Sequence, residues 1–107
     1  MVSTKNIGKM EIFNAKSASI ALQTVSDTLT VTGAAIADET NAESGEISEV
    51  GYIFDKDGNV YGTISATVID MLPALIDLLD EVNELPMSVV HRNAKSGREF
   101  ISLQIVK

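Results

Sequence analysis

The chain of 107 residues predicts a mainly β protein, a five-stranded barrel with one helix, behind an N-terminal extension. Three observations carry this. Short runs rich in Val, Ile, Tyr and Phe recur between turn signals. Apolar-polar alternation gives way once, over residues 65–84, to helical spacing. That helical stretch falls after the third strand-like run and before the fourth.

The most legible stretch is 51–65, two apolar and aromatic runs joined by Asp55-Lys56-Asp57-Gly58-Asn59, which reads as a β-hairpin. Asp55 suits the start of a type I turn and Gly58 the left-handed position that closes a three-residue loop, pairing Phe54 with Val60 and Ile53 with Tyr61. A two-residue Asp57-Gly58 loop would instead set Phe54 beside Tyr61, and both registers stay open at this level. The first puts Val50, Tyr52, Phe54, Val60, Gly62 and Ile64 on one side, with Glu49, Gly51, Ile53, Tyr61, Thr63 and Ser65 on the other. The second side is mostly polar, so Tyr61 is expected to project toward water or a ligand. The turn also resembles a calcium-binding EF-hand loop, with Asp55, Asp57 and Asn59 as the first oxygen ligands. Val60 then stands where the sharp-turn glycine belongs and Ala66 where the bidentate glutamate belongs, so no metal site is expected.

Before the hairpin, Leu29 and Val31 alternate with Thr28, Thr30 and Thr32, and Ala34–Ala37 prolong this strand past Gly33, a candidate bulge. Residues 38–45 read as an acidic loop. After it, Val68, Met71, Leu72, Leu75 and Leu79 form a helical stripe with Thr67 as candidate N-cap, and Pro73 is expected to kink or split the helix. Its acids Asp70, Asp77, Asp80, Glu81 and Glu84 have no basic residue among them. Leu85-Pro86 restarts the chain for a strand over Met87–His91, Asn93–Gly97 make a second turn, and Glu99–Val106 alternate again. Ile101, Leu103 and Ile105 are expected inside, and Phe100, Ser102 and Gln104 outside. Three strands, a helix and two strands is the β-β-β-α-β-β order of an oligonucleotide/oligosaccharide-binding (OB-fold-like) Greek-key barrel. It is expected over residues 27–107. Residues 1–26 form an extension in which Met10, Ile12 and Phe13 suggest a short strand and Ile20, Leu22 and Val25 a small apolar edge.

The chain has no cysteine and one histidine, which excludes disulfides and the usual zinc sites. No apolar run approaches the roughly 20 residues of a membrane span, and the polar start is not a signal peptide, so a cytoplasmic protein without a membrane partner is expected. No nucleophile elbow, phosphate loop or dinucleotide fingerprint occurs, and His91 follows the alternation of Met87 and Val89 as a rim residue rather than a base. A non-enzymatic protein without cofactor is expected.

Charge is unevenly spread. Residues 91–107 hold Arg92, Lys95, Arg98 and Lys107 against Glu99, a net +3, which leaves −10 on the other 90 residues of a chain whose total is −7. Cations beside an aromatic face are what single-stranded nucleic acid requires, because bases stack and cations replace counterions. The same residues also fit a solvated turn and an ordinary surface phenylalanine.

The runs Leu22-Gln23-Thr24-Val25, Thr28-Leu29-Thr30-Val31, Asp57-Gly58 through Val60-Tyr61 to Thr63-Ile64-Ser65, and Lys95-Ser96-Gly97-Arg98-Glu99-Phe100 resemble the small single-stranded-DNA-binding proteins of phages and prophages of Gram-positive bacteria. The likeness covers about residues 20–106. It implies a barrel that coats single strands during phage DNA replication, in the host cytoplasm, without catalysis, metal or cofactor. Its partners would be single-stranded DNA, replication proteins and copies of itself. The candidate nucleic-acid-binding residues are Tyr61 and Phe100 for stacking, Lys95, Arg98 and Arg92 for phosphates, and Tyr52 and Phe54 on the hairpin. The rival reading is a non-catalytic module that binds a replication or host protein.

Overall fold

The computed structural model describes residues 2–26, 28–40 and 42–106; Lys107, counted with the basic segment, lies outside them. The elements in chain order are β1 (Val2–Ser3), α1 (Lys9–Ala18), β2 (Ile20–Ala21), a 3-10 turn (Leu22–Thr24), β3 (Thr28–Thr40), β4 (Ile47–Asp55), β5 (Val60–Thr63), α2 (Ala66–Val82), β6 (Leu85–Asn93) and β7 (Glu99–Ile105). The five long strands and α2 thus come in the expected order.

Among the described residues the strands form one curled sheet, ordered β2-β5-β4-β3-β6-β7, with β1 also paired to β3. β3 is its spine. It pairs antiparallel with β6 through Thr28–Val31 and with β4 through Val31 and Gly33–Thr40, and the register shifts between Val31 and Gly33. An extra residue in one strand bends it and increases its twist, which lets β3 serve both halves of the sheet. The carbonyl that Thr32 turns outward accepts from Asn6 Nδ2 at 3.0 Å. The connectivity is that of an OB-like Greek key, in which α2 carries the chain back so that the fourth long strand lies beside the first. Among the described residues no ladder joins β5 to β7, so the barrel is open along that seam.

The β4–β5 hairpin takes the register Phe54↔Val60 and Ile53↔Tyr61. Gly58, at φ +87°, supplies the left-handed turn position. The Asp55 carboxylate is its staple: Oδ1 accepts the backbone N–H groups of Asp57 at 3.0 Å and Asn59 at 2.8 Å, and Oδ2 accepts the Tyr61 hydroxyl at 3.2 Å.

The side expected to be wet is buried, and so is the other. Ile53 and Tyr61 belong to the main core under α2, with Leu22, Val31, Val68, Leu72, Leu75, Leu79, Met87, Val89, Ile101 and Leu103. The apparently polar positions on that side include Gly51, where an added Cβ would meet Leu72 Cδ1 at 2.7 Å. A small residue there lets the helix approach and does not mark a wet surface. The opposite side, with Val50, Tyr52 and Phe54, is covered by a second core that Ile7, Ile12 and Ala15 bring from the N-terminal segment.

Five other expectations change. The acidic stretch from Asp38 begins as strand, since β3 runs on to Thr40 paired with Ile47. Residues 10–13 lie in α1 and not in a strand. Ile12 and Ala15 are buried while Met10 and Phe13 stay 79% and 75% exposed, so the apolar residues mark no single face and leave no helical period to read. The N-cap of α2 is Ser65, whose hydroxyl accepts from Val68 N, and not Thr67. Pro73 neither ends nor splits α2, because it lies on the exposed side while Leu72, Leu75, Ile76 and Leu79 anchor the other. Ile105 is 43% exposed, beyond the edge of the core that holds Ile101 and Leu103.

Candidate nucleic-acid interface

The β6–β7 hairpin carries the basic residues. Its turn closes with Ala94 N donating to Arg98 O at 2.8 Å and Gly97 N to Ala94 O at 2.9 Å, and Gly97 adopts φ +84°. Arg92, Lys95 and Arg98 are all exposed, and Phe100 is half-buried. Arg92 and Phe100 are direct cross-strand partners, so they share one face of the sheet and stand at side-chain contact spacing.

The open seam is a cleft of about 1070 Å³. Arg98, Glu99, Phe100 and Ile101 line it from β7 and the turn before it. Gly62 and Thr63 line it from β5, Ile64 from the link that follows, and Ser65, Ala66 and Thr67 from the start of α2. The N-terminal segment contributes Lys16, Ser19, Ala21, Gln23 and Thr24. Ile64 is 79% exposed, an apolar surface facing the same space. The N-terminus of α2 adds positive dipole character to a wall that already carries hydroxyls.

Every described lysine and arginine is exposed, and among the described residues none lies within 4.0 Å of a carboxylate. In a chain of net charge −7, the described lysines and arginines are therefore not spent on pairs with described carboxylates. One ion pair among the described residues is His91 Nδ1 to Glu99 Oε1 at 2.7 Å, with His91 Nε2 2.8 Å from the carbonyl of Val25. The Val25 carbonyl first, and the Glu99 carboxylate after it, raise the His91 pKa above its usual value. His91 thus ties the segment before β3 to the hairpin and holds a carboxylate that lines the cleft.

The structure brings together Arg98 and Phe100 on the cleft, with Arg92 across the strand pair from Phe100 and Lys95 at the hairpin tip. It does not bring Tyr61 to them. Tyr61 is 7% exposed, its ring within the core and its hydroxyl on Asp55, and burial followed by the Asp55 charge pushes its phenol pKa up. Tyr52 is 2% exposed, its pKa raised by burial and then by Glu39, and Phe54 packs in the second core. Tyr52 reaches only the floor of the cleft, so none of the three offers a free ring face. Sequence reading also missed the contribution of residues 16–24. The one signal there was Lys16 in the Asn-Ala-Lys-Ser run at 14–17 that recurs at 93–96, too short a match to weigh.

Fold and site together define a small open barrel that gathers free cations, a half-exposed ring and an apolar rim on a single concavity. The family model described as phage single-stranded DNA-binding protein, of the phi29 type, matches residues 1–106. The single-stranded DNA-binding protein of Bacillus phage B103 is 35% identical over 106 residues, covering 92% of this chain and 87% of that protein. The chain belongs to the phi29-type family of phage single-stranded DNA-binding proteins. No solved structure matches it significantly.

Proposed function

We propose that this protein coats single-stranded DNA during phage replication, largely without regard to sequence, and that the strand lies in the cleft between β5 and β7. The observation that carries the reading is that Arg98 and Phe100 open on one concavity, with Arg92 the cross-strand partner of Phe100 and, among the described residues, no carboxylate pairing either guanidinium. Phe100 stacks a base, a contact that every base can make, and Arg98, Arg92 and Lys95 replace counterions along the phosphates. The net negative charge confines binding to this patch, and the phosphate contacts made there make it salt-dependent. Nothing in this mode of action needs a catalytic group, and its place is the host cytoplasm. Among the described residues no helix is long and apolar enough to cross a membrane.

The test is fluorescence anisotropy of a labelled thymidine oligonucleotide titrated with protein at several salt concentrations. Phe100→Ala is expected to weaken binding by about 1 to 3 kcal/mol. Arg98→Ala is expected to lower the slope of log affinity against log salt by about 0.7, the share of one phosphate contact on a single strand. Affinity and slope unchanged in both variants would overturn the assignment.

A further inference from the structure

We propose that the N-terminal segment builds the second half of the DNA site, with Lys16 as its phosphate contact, an inference that rests on the reading of the cleft given above. Three features carry it.

First, β2 takes the edge of β5 that a closed barrel would give to its last strand. Ile20 and Ala21 pair in parallel with Tyr61 and Gly62. Gly62 leaves room for the Ser19 side chain, whose Oγ would stand 2.8 Å from a Cβ there. With that edge occupied, β7 does not close on β5, and the seam stays open. The segment that keeps the cleft open is also one of its walls.

Second, what this segment turns toward the cleft is small, polar or cationic: Lys16, Ser19, Ala21, Gln23 and Thr24. Lys16 stands on α1 and Arg98 just before β7, elements that share no ladder yet border one cavity. A strand held at both places would be gripped from two separate parts of the fold.

Third, Lys16 is positioned but not neutralised. Its Nζ donates to the carbonyl of Asp38 at 3.4 Å, and no carboxylate of the described residues lies within 4.0 Å. An ammonium has three donors, so two remain for phosphate oxygens. Glu39 and Glu99 also line the cleft, and Glu99 is held by His91, which leaves Lys16 and Arg98 as the cations on its walls.

Lys9 supplies the control. It stands on the same helix, carries the same charge and is exposed, but borders a separate shallow depression with Met10, Phe13 and Asn14. In the anisotropy titration, Lys16→Gln is expected to weaken binding roughly eightfold at about 50 mM salt and to lower the salt slope by about 0.7. Lys16→Arg is expected to restore both, and Lys9→Gln to leave both at the wild-type values. Thermal unfolding should be the same for all three, since neither lysine is buried. Equal losses in Lys9→Gln and Lys16→Gln would reduce the effect to net charge and overturn the proposal. A silent Lys16→Gln beside a weakened Arg98→Ala would remove the N-terminal wall while the cleft reading stands. Silence in both would remove the two together.

Discussion

Tyr61 donates its hydroxyl to Asp55 Oδ2 across 3.2 Å, from within the core, and so ties the last strand of the central hairpin to its turn. That bond makes Tyr61 a folding residue. Tyr61→Ala is expected to destabilise the protein by about 3 to 5 kcal/mol, as for a buried aromatic reduced to a methyl group. Tyr61→Phe should cost about 1 kcal/mol, the worth of one hydrogen bond. Urea unfolding measures both, and the Tyr61→Phe variant should bind a thymidine oligonucleotide as the wild type does. A loss of affinity without a loss of stability would return Tyr61 to the binding site.

His91 should make stability fall as pH rises. Its folded pKa lies above the unfolded value of about 6.5, because the Val25 carbonyl and the Glu99 carboxylate both favour the imidazolium. The stabilisation is therefore fully present below about pH 6.5 and is lost as pH climbs through the raised folded value. Melting temperatures across this range should decline for the wild type and stay flatter for His91→Gln. Parallel curves for the two proteins would dismiss the linkage.

Gly51 is where α2 comes closest to β4. Gly51→Val places a side chain where Leu72 Cδ1 would lie 2.7 Å from its Cβ. Overpacking of this kind costs roughly 1 to 3 kcal/mol. Adding Leu72→Ala to it should cost less than the sum of the two single changes, which a double-mutant cycle by urea unfolding would read.

Pro73 removes a donor from the middle of an unbroken helix on its exposed side. Pro73→Ala is expected to stabilise the fold by about 1 to 3 kcal/mol, short of the full helix-propensity difference because proline also restricts the unfolded chain. A lower melting temperature in Pro73→Ala would show that the ring packs against something α2 needs.

Much of the architecture was legible in local pattern. The Val31–Gly33 bulge, the hairpin turn at Asp55–Asn59 with Phe54↔Val60 as one of two registers, and the stripe of Val68, Leu72, Leu75 and Leu79 all follow from turn chemistry and periodicity, which act over a few residues. Arg92, Lys95, Arg98 and Phe100 were legible for the same reason, since a basic turn followed by a strand keeps them together. Helix α1 was not, because Met10 and Phe13 face water and blur its period.

The sequence by itself determined the order of strands and helix and the place of each hairpin turn, because these depend on contacts between near neighbours in the chain; the structure chose between the two registers left open for β4–β5. Only the tertiary structure decided that both sides of the β4–β5 hairpin are covered, that the barrel stays open beside β7, and that Lys16 borders the same cleft as Arg98. A two-residue period defines two faces without saying what covers them. Here the covers are α2 on one side and α1 on the other, and they come from opposite directions along the chain.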